Sequence, residues 1–338
     1  MSFPTEQELW QQVAGTDNLP RGRATTRRLE EIVGAADAAG YEEVAASARI
    51  ALMNAYRFGR EAAKLFAPFA WLLKRYDAGP PWFSEFERHH VLWMYKWVTA
   101  DMLDFPEVPL GRIESGLADM AGRYAAAGET DAPVLGIRYA VAVHLRGYQA
   151  AHTDYLAWVR APRTELSDCE ACEQSRRVRH LAARGRYEEA VAEAVPVLTG
   201  ESTCDQQPHR MIQEALIPLL LTGRAEQAAQ EHLRGVRLLR EGTHTYCYAN
   251  PLQVCARTGR LQRGLDLFER WAGTAAATLE PASLLVFLAA SARLFNGLVG
   301  AGHGDLPVTP LPPVDDRGEL TEEAAALVAP GSVAEVSS

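Results

Sequence analysis

The feature that most constrains this chain is a phrase that returns three times. LAARGRYEEAVAEAVPVL surrounds Gly185, LLLTGRAEQAAQEHLRGV surrounds Gly223, and CARTGRLQRGLDLFERWA surrounds Gly259, so the glycines lie 38 and 36 residues apart. Each phrase runs from an apolar segment through Gly-Arg to a small residue five positions on (Ala190, Ala228, Gly264), then into a second apolar segment. The spacing predicts a helix hairpin. Glycine reaches the left-handed conformation that ends the first helix, and the small residue lets the two axes approach to about 8–10 Å. A single hairpin leaves its outer face bare, so successive hairpins must stack into a superhelix with a concave inner surface.

The rest of the chain has the same helical period. TTRRLEEIVGAADAAG and EEVAASARIALMNAY place apolar residues at three- and four-residue steps, and alternation of strand length is hard to find, so the fold class expected is all-α. An echo lies near the N-terminus in NAYRFGREAAKLFAPFAWLL, where Glu61, Ala62 and Pro68 correspond to Glu189, Ala190 and Pro196. Both prolines are expected inside second helices, bending them.

The Asn54-Ala55-Tyr56, Gly59, Ala62, Phe66 phrase and the Gly-Arg-Tyr-Glu-Glu-Ala run at 185–190 resemble tetratricopeptide repeats. The resemblance implies a right-handed superhelix of antiparallel helix hairpins, an α-solenoid, although the repeat spacing near 37 departs from the 34 typical of that family. The whole chain is similar to tetratricopeptide-like proteins of actinobacteria, which implies a cytoplasmic helical-repeat protein and brings no activity with it. The organisation expected is an N-terminal cap over 1–20, helical repeats with an aromatic-rich stretch over 21–160, tetratricopeptide-like repeats with a Cys/His cluster over 161–302, and a disordered Pro-, Gly- and acid-rich tail over 303–338.

A net charge of −9, from 43 acidic against 34 basic residues, argues against a nucleic-acid or anionic-membrane surface. The N-terminus has no signal-peptide pattern, and polar residues break the apolar runs well before ~18 positions. Five cysteines make no disulfide framework, so a cytoplasmic location with thiols or metal ligands is expected.

DCEAC at 168–172 and CDQQPH at 204–209 carry the sharpest chemistry. Cys169 and Cys172 form a C-x2-C pair at the start of a helix expected over 170–184, and the helix expected over 187–198 returns to the same end. Cys204 follows in the next loop, and Pro208 opens another helix, so His209 falls at that end too. Three thiolates and an imidazole suit a closed, structural zinc site that clips one repeat to the next. Asp168 or Asp205 could replace His209. The alternatives are a redox-active pair or inert cysteines. Cys247 and Cys255 are expected to be core thiols.

Two other places could form a ligand or partner surface. His89, Tyr95 and Lys96 lie in the aromatic stretch 66–98, where core packing is the competing account. Arg234, Arg237 and Arg240 have the spacing of one basic helix face, with a solvated face paired to nearby Glu as the competing account. No Walker A loop, Rossmann fingerprint, H-E-x-x-H or Gly-x-Ser-x-Gly elbow occurs, so no catalytic set is assigned. The sequence favours a non-enzymatic scaffold binding a protein or peptide in its concave groove. The alternatives are a small-ligand or signalling-peptide sensor acting through a partner, and a zinc enzyme with water in the fourth coordination place.

Overall fold

The computed structural model describes residues 4–16, 19, 22–59, 61–239, 244–277, 280–308 and 331–332. Among these residues the chain is all-helical: fifteen α-helices, three 3-10 turns and one ladder of two-residue strands. Contacts divide it into two compact units, Met1–Ser167 and Asp168–Ser338, a boundary seven residues beyond the expected one at 160/161.

The first unit contains α1 (Glu6–Ala14), α2 (Arg23–Ala39), α3 (Glu42–Phe58), α4 (Phe66–Ala78), α5 (Glu85–Asp101), α6 (Leu110–Ala126), α7 (Ala132–Ala150) and α8 (His152–Arg160). Thr5 and Ser84 open α1 and α5 with capping boxes, each closed by a glutamate three residues on, Glu8 and Glu87. Leu29, Ile32, Val44, Met53, Leu65, Leu72, Val91 and Met94 form one core, with a partly buried aromatic shell packed against it.

The N-terminal echo folds differently from its counterpart. Gly59 keeps φ −86°, a 3-10 turn spans Ala62–Leu65, and Pro68 falls in the first turn of α4. A proline there forfeits no intrahelical bond, so the bend expected at Pro68 has no cause. Pro196 does lie inside its helix.

The second unit contains α9 (Glu170–Ala183), α10 (Tyr187–Thr199), α11 (His209–Leu221), α12 (Ala225–Leu238), α13 (Ala249–Arg257), α14 (Leu261–Ala276) and α15 (Pro281–Gly300). The three repeated phrases are the hairpins α9/α10, α11/α12 and α13/α14. Gly185, Gly223 and Gly259 take φ of +76°, +77° and +69°. In each hairpin the following arginine donates its backbone N–H to the carbonyl five residues back, at 2.9 Å, on Leu181, Leu219 and Cys255. This is the bond pattern of a glycine-terminated helix. Ala190 and Ala228 are wholly buried. At Gly264 an added Cβ would stand 2.5 Å from Leu294 Cδ1 and 3.1 Å from Cys255 Cβ, so the close approach there requires glycine.

Neighbouring hairpins pack in order, α10 on α11 and α11 on α13, and α15 closes the series by laying Phe287, Leu294 and Phe295 on Phe268. By length and composition α15 is apolar enough to cross a membrane, with a mean hydropathy of 1.7 over an 18-residue window of which 39% is buried. The expected tail starts too early at 303. Leu306 and Val308 pack into the core of this unit, and Pro307–Val308 pairs antiparallel with Gly331–Ser332. Residues 309–330 and 333–338, the bulk of the expected tail, lie outside the described residues.

Candidate metal centre

The start of α9 is built by two cysteines. Cys169 is its extended N-cap residue, and the Cys169 carbonyl accepts the N–H groups of Cys172 at 3.0 Å and Glu173 at 3.1 Å. This turn brings the Cys172 side chain back beside that of Cys169. The third cysteine arrives from the loop between α10 and α11. Gly200, at φ +87°, ends α10, and Ser202 N–H bonds back to the Pro196 carbonyl at 3.0 Å. Cys204 then turns toward α9, with Gln207 N–H on its carbonyl at 2.9 Å and Gln206 N–H reaching its Sγ at 3.4 Å.

The result is a cluster of three sulfurs, all within 4.8 Å of one another, with Cys172 and Cys204 at 3.5 Å. All three residues are half-buried. The group could hold a metal ion. Bonds of about 2.3 Å around a tetrahedral zinc put sulfurs ~3.8 Å apart, close to the separation seen here. A purely sulfur donor set suits a borderline or soft metal and not calcium or magnesium.

Hydrogen bonds organise the charge. The Cys169 thiol and then the Cys204 thiol bond to Cys172, and the Arg210 guanidinium adds its charge, so the Cys172 thiol is pulled well below the usual thiol range despite its burial. Cys169, the donor to that thiolate, is held far above the usual thiol range by the same bond, by Cys204 and by burial. One sulfur is therefore a ready anion, and a metal need displace only the protons of the other two.

His209 opens α11, as the sequence implies, but its ring nitrogens do not join the group of three sulfurs. Burial, and then the charge of Arg210, hold its imidazole below the usual histidine range, so it stays in the neutral form that a metal binds. Neither Asp168 nor Asp205 joins the group, and Asp168 is paired with Arg176 at 2.8 Å.

The residue that sequence reasoning missed is Gln207. Buried between α9 and α11, it donates from Nε2 to Ser175 Oγ at 2.7 Å and to the Ala171 carbonyl at 3.3 Å, and lies 3.9 Å from Cys172 Sγ. Its Oε1 accepts the Met211 N–H at 2.9 Å. A carboxamide can donate and accept at once, and that is how it pins the Cys204 loop onto the cysteine helix. The only signal in the sequence was a glutamine three residues after a candidate ligand.

The other sequence candidates separate cleanly. Tyr95 and Lys96 are 5% and 3% exposed, so they are not a surface. The Tyr95 hydroxyl donates to Asp119 and its ring meets Phe69 edge-on. Lys96 donates from Nζ to the Leu166 carbonyl at 2.7 Å and sits 3.3 Å over the Trp93 ring. Helix α5 packs against α3, α4, α6 and α7, which leaves these two residues facing protein. His89 is half-exposed and stacks on Trp93. Arg234 folds back to the Leu198 carbonyl at 3.0 Å and pairs with Glu231, Arg237 is exposed, and Arg240 lies outside the described residues. Cys247 and Cys255 are buried, at 0% and 2% exposure.

The sequence matches no model of a known protein family, and no curated protein matches it.

Proposed function

We propose that the chain is a helical-repeat scaffold, working in the cytoplasm, that binds a protein or peptide partner, and that zinc held by Cys169, Cys172 and Cys204 braces its second unit. The observation that carries this reading is the placing of the three sulfurs. Two open the first helix of the first repeated hairpin, and the third sits in the loop leading to the next hairpin, so a shared ion ties consecutive repeats together. Stacked hairpins with structural braces suit surface display more than chemistry. In this reading His209, which opens α11, completes the coordination, with its imidazole already neutral.

A specific observation favours a second reading. Because His209 stands outside the sulfur group, the fourth place is open to water, which is the arrangement of catalytic zinc. One experiment separates the two. Purified protein is assayed for metal by mass spectrometry and for coordination by X-ray absorption, with His209→Ala alongside. The scaffold reading expects about one zinc per chain, three sulfurs and one nitrogen, and loss of the nitrogen in the variant. Three sulfurs and one exchangeable oxygen in both proteins would transfer the site to the enzyme reading. Affinity purification from the native host then tests the partner, where one stoichiometric protein is expected.

A further inference from the structure

A second place in the molecule has the build of a binding site, and it lies in the first unit. Between α1, α3 and α5 there is a pocket of about 320 Å³, walled by Trp10, Ile50, Phe86 and His90, with Asn54 and Ser47 along one side. Phe86 is 57% exposed, so one face of its ring is open at the pocket mouth. Its ring centroid lies 4.1 Å from that of His90, so the two rings stand as one aromatic wall with Trp10 across the pocket.

The pocket sets acceptors beside the Ser47 hydroxyl and the Trp10 indole N–H. His90 Nδ1 lies 2.8 Å from the Phe86 carbonyl, which can only accept, so Nδ1 carries a proton and the ring is held against Phe86. Asn54 Nδ2 donates one proton to the Ile50 carbonyl at 3.0 Å, which fixes the amide and leaves Oδ1 as an acceptor beside the second Nδ2 proton. Exposed carboxylates continue the same faces: Glu6 precedes Trp10 by one turn of α1, and Glu43 precedes Ser47 by one turn of α3. Aromatic faces, the Asn54 carbonyl oxygen and carboxylates one turn away complement a donor-rich cation.

We propose that this pocket binds the primary ammonium group of a lysine side chain on a protein partner. The inference rests on the scaffold reading and names the chemistry of the partner's anchor. A lysine fits better than an arginine, because a compact ammonium on a slender apolar stem matches a small aromatic-walled cavity with carboxylates one helical turn away, whereas a guanidinium needs planar, bidentate partners. The negative net charge of the chain also favours a basic partner.

The test uses the full chain and the peptide acetyl-Gly-Gly-Lys-Gly-Gly-amide, with the same peptide acetylated on the lysine side chain as control, followed by the NMR signal of the Trp10 indole N–H. Saturable shifts are expected with the lysine peptide and none with the acetylated one. Phe86→Ala, an exposed change that leaves the core intact, should weaken binding roughly tenfold, and Glu43→Gln roughly threefold. Absence of saturable shifts, equal binding of the acetylated peptide, or unchanged affinity in Phe86→Ala would overturn the proposal. A protein partner that co-purifies equally well with Phe86→Ala would remove the pocket from the account while leaving the scaffold reading in place.

Discussion

The two units solve the same problem, packing antiparallel helices, with different degrees of repetition. In the second unit the hairpin turns are copies of one another: the same left-handed glycine, the same 2.9 Å bond to the carbonyl five residues back, and the same small residue early in the second helix. The first unit uses this turn too, at Gly40 and Gly128, where φ is +75° and +77° and the N–H groups of Tyr41 and Glu129 reach the carbonyls of Ala36 and Tyr124 at 3.0 and 2.9 Å, but it adds junctions that occur only once. Arg49 bonds Asp37 at 2.6 Å while lying 4.1 Å over Trp71, Arg57 bonds Asp101 at 2.6 Å, and the capping boxes at Thr5 and Ser84 set two helix starts. Six of the seven tryptophans belong to this unit, and Trp271 alone belongs to the other. Repeated backbone chemistry needs few large side chains, whereas irregular junctions are filled by aromatic rings and the cations over them.

That contrast also supplies an optical handle, because a Trp271→Phe variant reports the first unit alone, and the difference between its emission and that of the unaltered protein isolates Trp271 and so the second. The largest effect is expected at the metal. Cys172→Ser should abolish bound zinc and lower the Trp271 transition by ~10 °C or more, with the first unit unmoved. A chelator should do the same to the unaltered protein and nothing further to the variant. An equal fall in both transitions would break the separation of the units.

Alkaline pH should sharpen the contrast next. Burial pushes the Cys247 and Cys255 thiols up to about 11. A thiol raised on folding contributes its full stability below its unfolded value near pH 9, and loses it as pH climbs to about 11. Each accounts for ~2–3 kcal/mol at most. Urea midpoints read from Trp271 should therefore fall across pH 9 to 11, less steeply in Cys247→Ala. The first unit has no cysteine. Its Tyr56 and Tyr95 hydroxyls are raised by burial and by their carboxylate partners Glu30 and Asp119, so its decline should begin later, above pH 10.

Gly264→Ala probes the tightest crossing of the repeated hairpins and should cost about 1–3 kcal/mol, because Leu294 and Cys255 have little room to move. Gly273→Ala, in the same helix with open space around its Cβ position, should instead stabilise by ~0.5–1 kcal/mol. Equal effects at the two sites would mean that close approach does not set the hairpin. The smallest change is expected in the first unit. Arg49→Met keeps the aliphatic stem and loses the ion pair and the stacking on Trp71, for about 1 kcal/mol by chemical denaturation of the Trp271→Phe protein.

How far the sequence could be read followed the same divide. The Gly-Arg hairpins were legible because turn, bond and small residue are all set within ten positions, so the helices α9 and α10 emerge within a residue or two of where periodicity put them. The N-terminal echo misled, since a match at Glu61, Ala62 and Pro68 says nothing about the 3-10 turn that Gly59 and Ala62–Leu65 form instead. At the metal centre, the convergence of Cys169, Cys172 and Cys204 followed from counting helix lengths. Gln207 did not, because its four partners lie on two helices and only packing brings them together.

By itself, then, the sequence determined what depends on local chemistry: an all-helical chain, hairpins closed by left-handed glycines, and three thiols returned to one end of the first repeat. Tertiary structure alone decided that Tyr95 and Lys96 are interior, that His209 stops short of the sulfurs, and that Trp10, Phe86 and His90 frame a pocket. Helical period tells which residues share a face. Which face meets another helix, and how closely, depends on side chains far apart in the chain, so burial and the last ångström of a site are settled only when the helices dock.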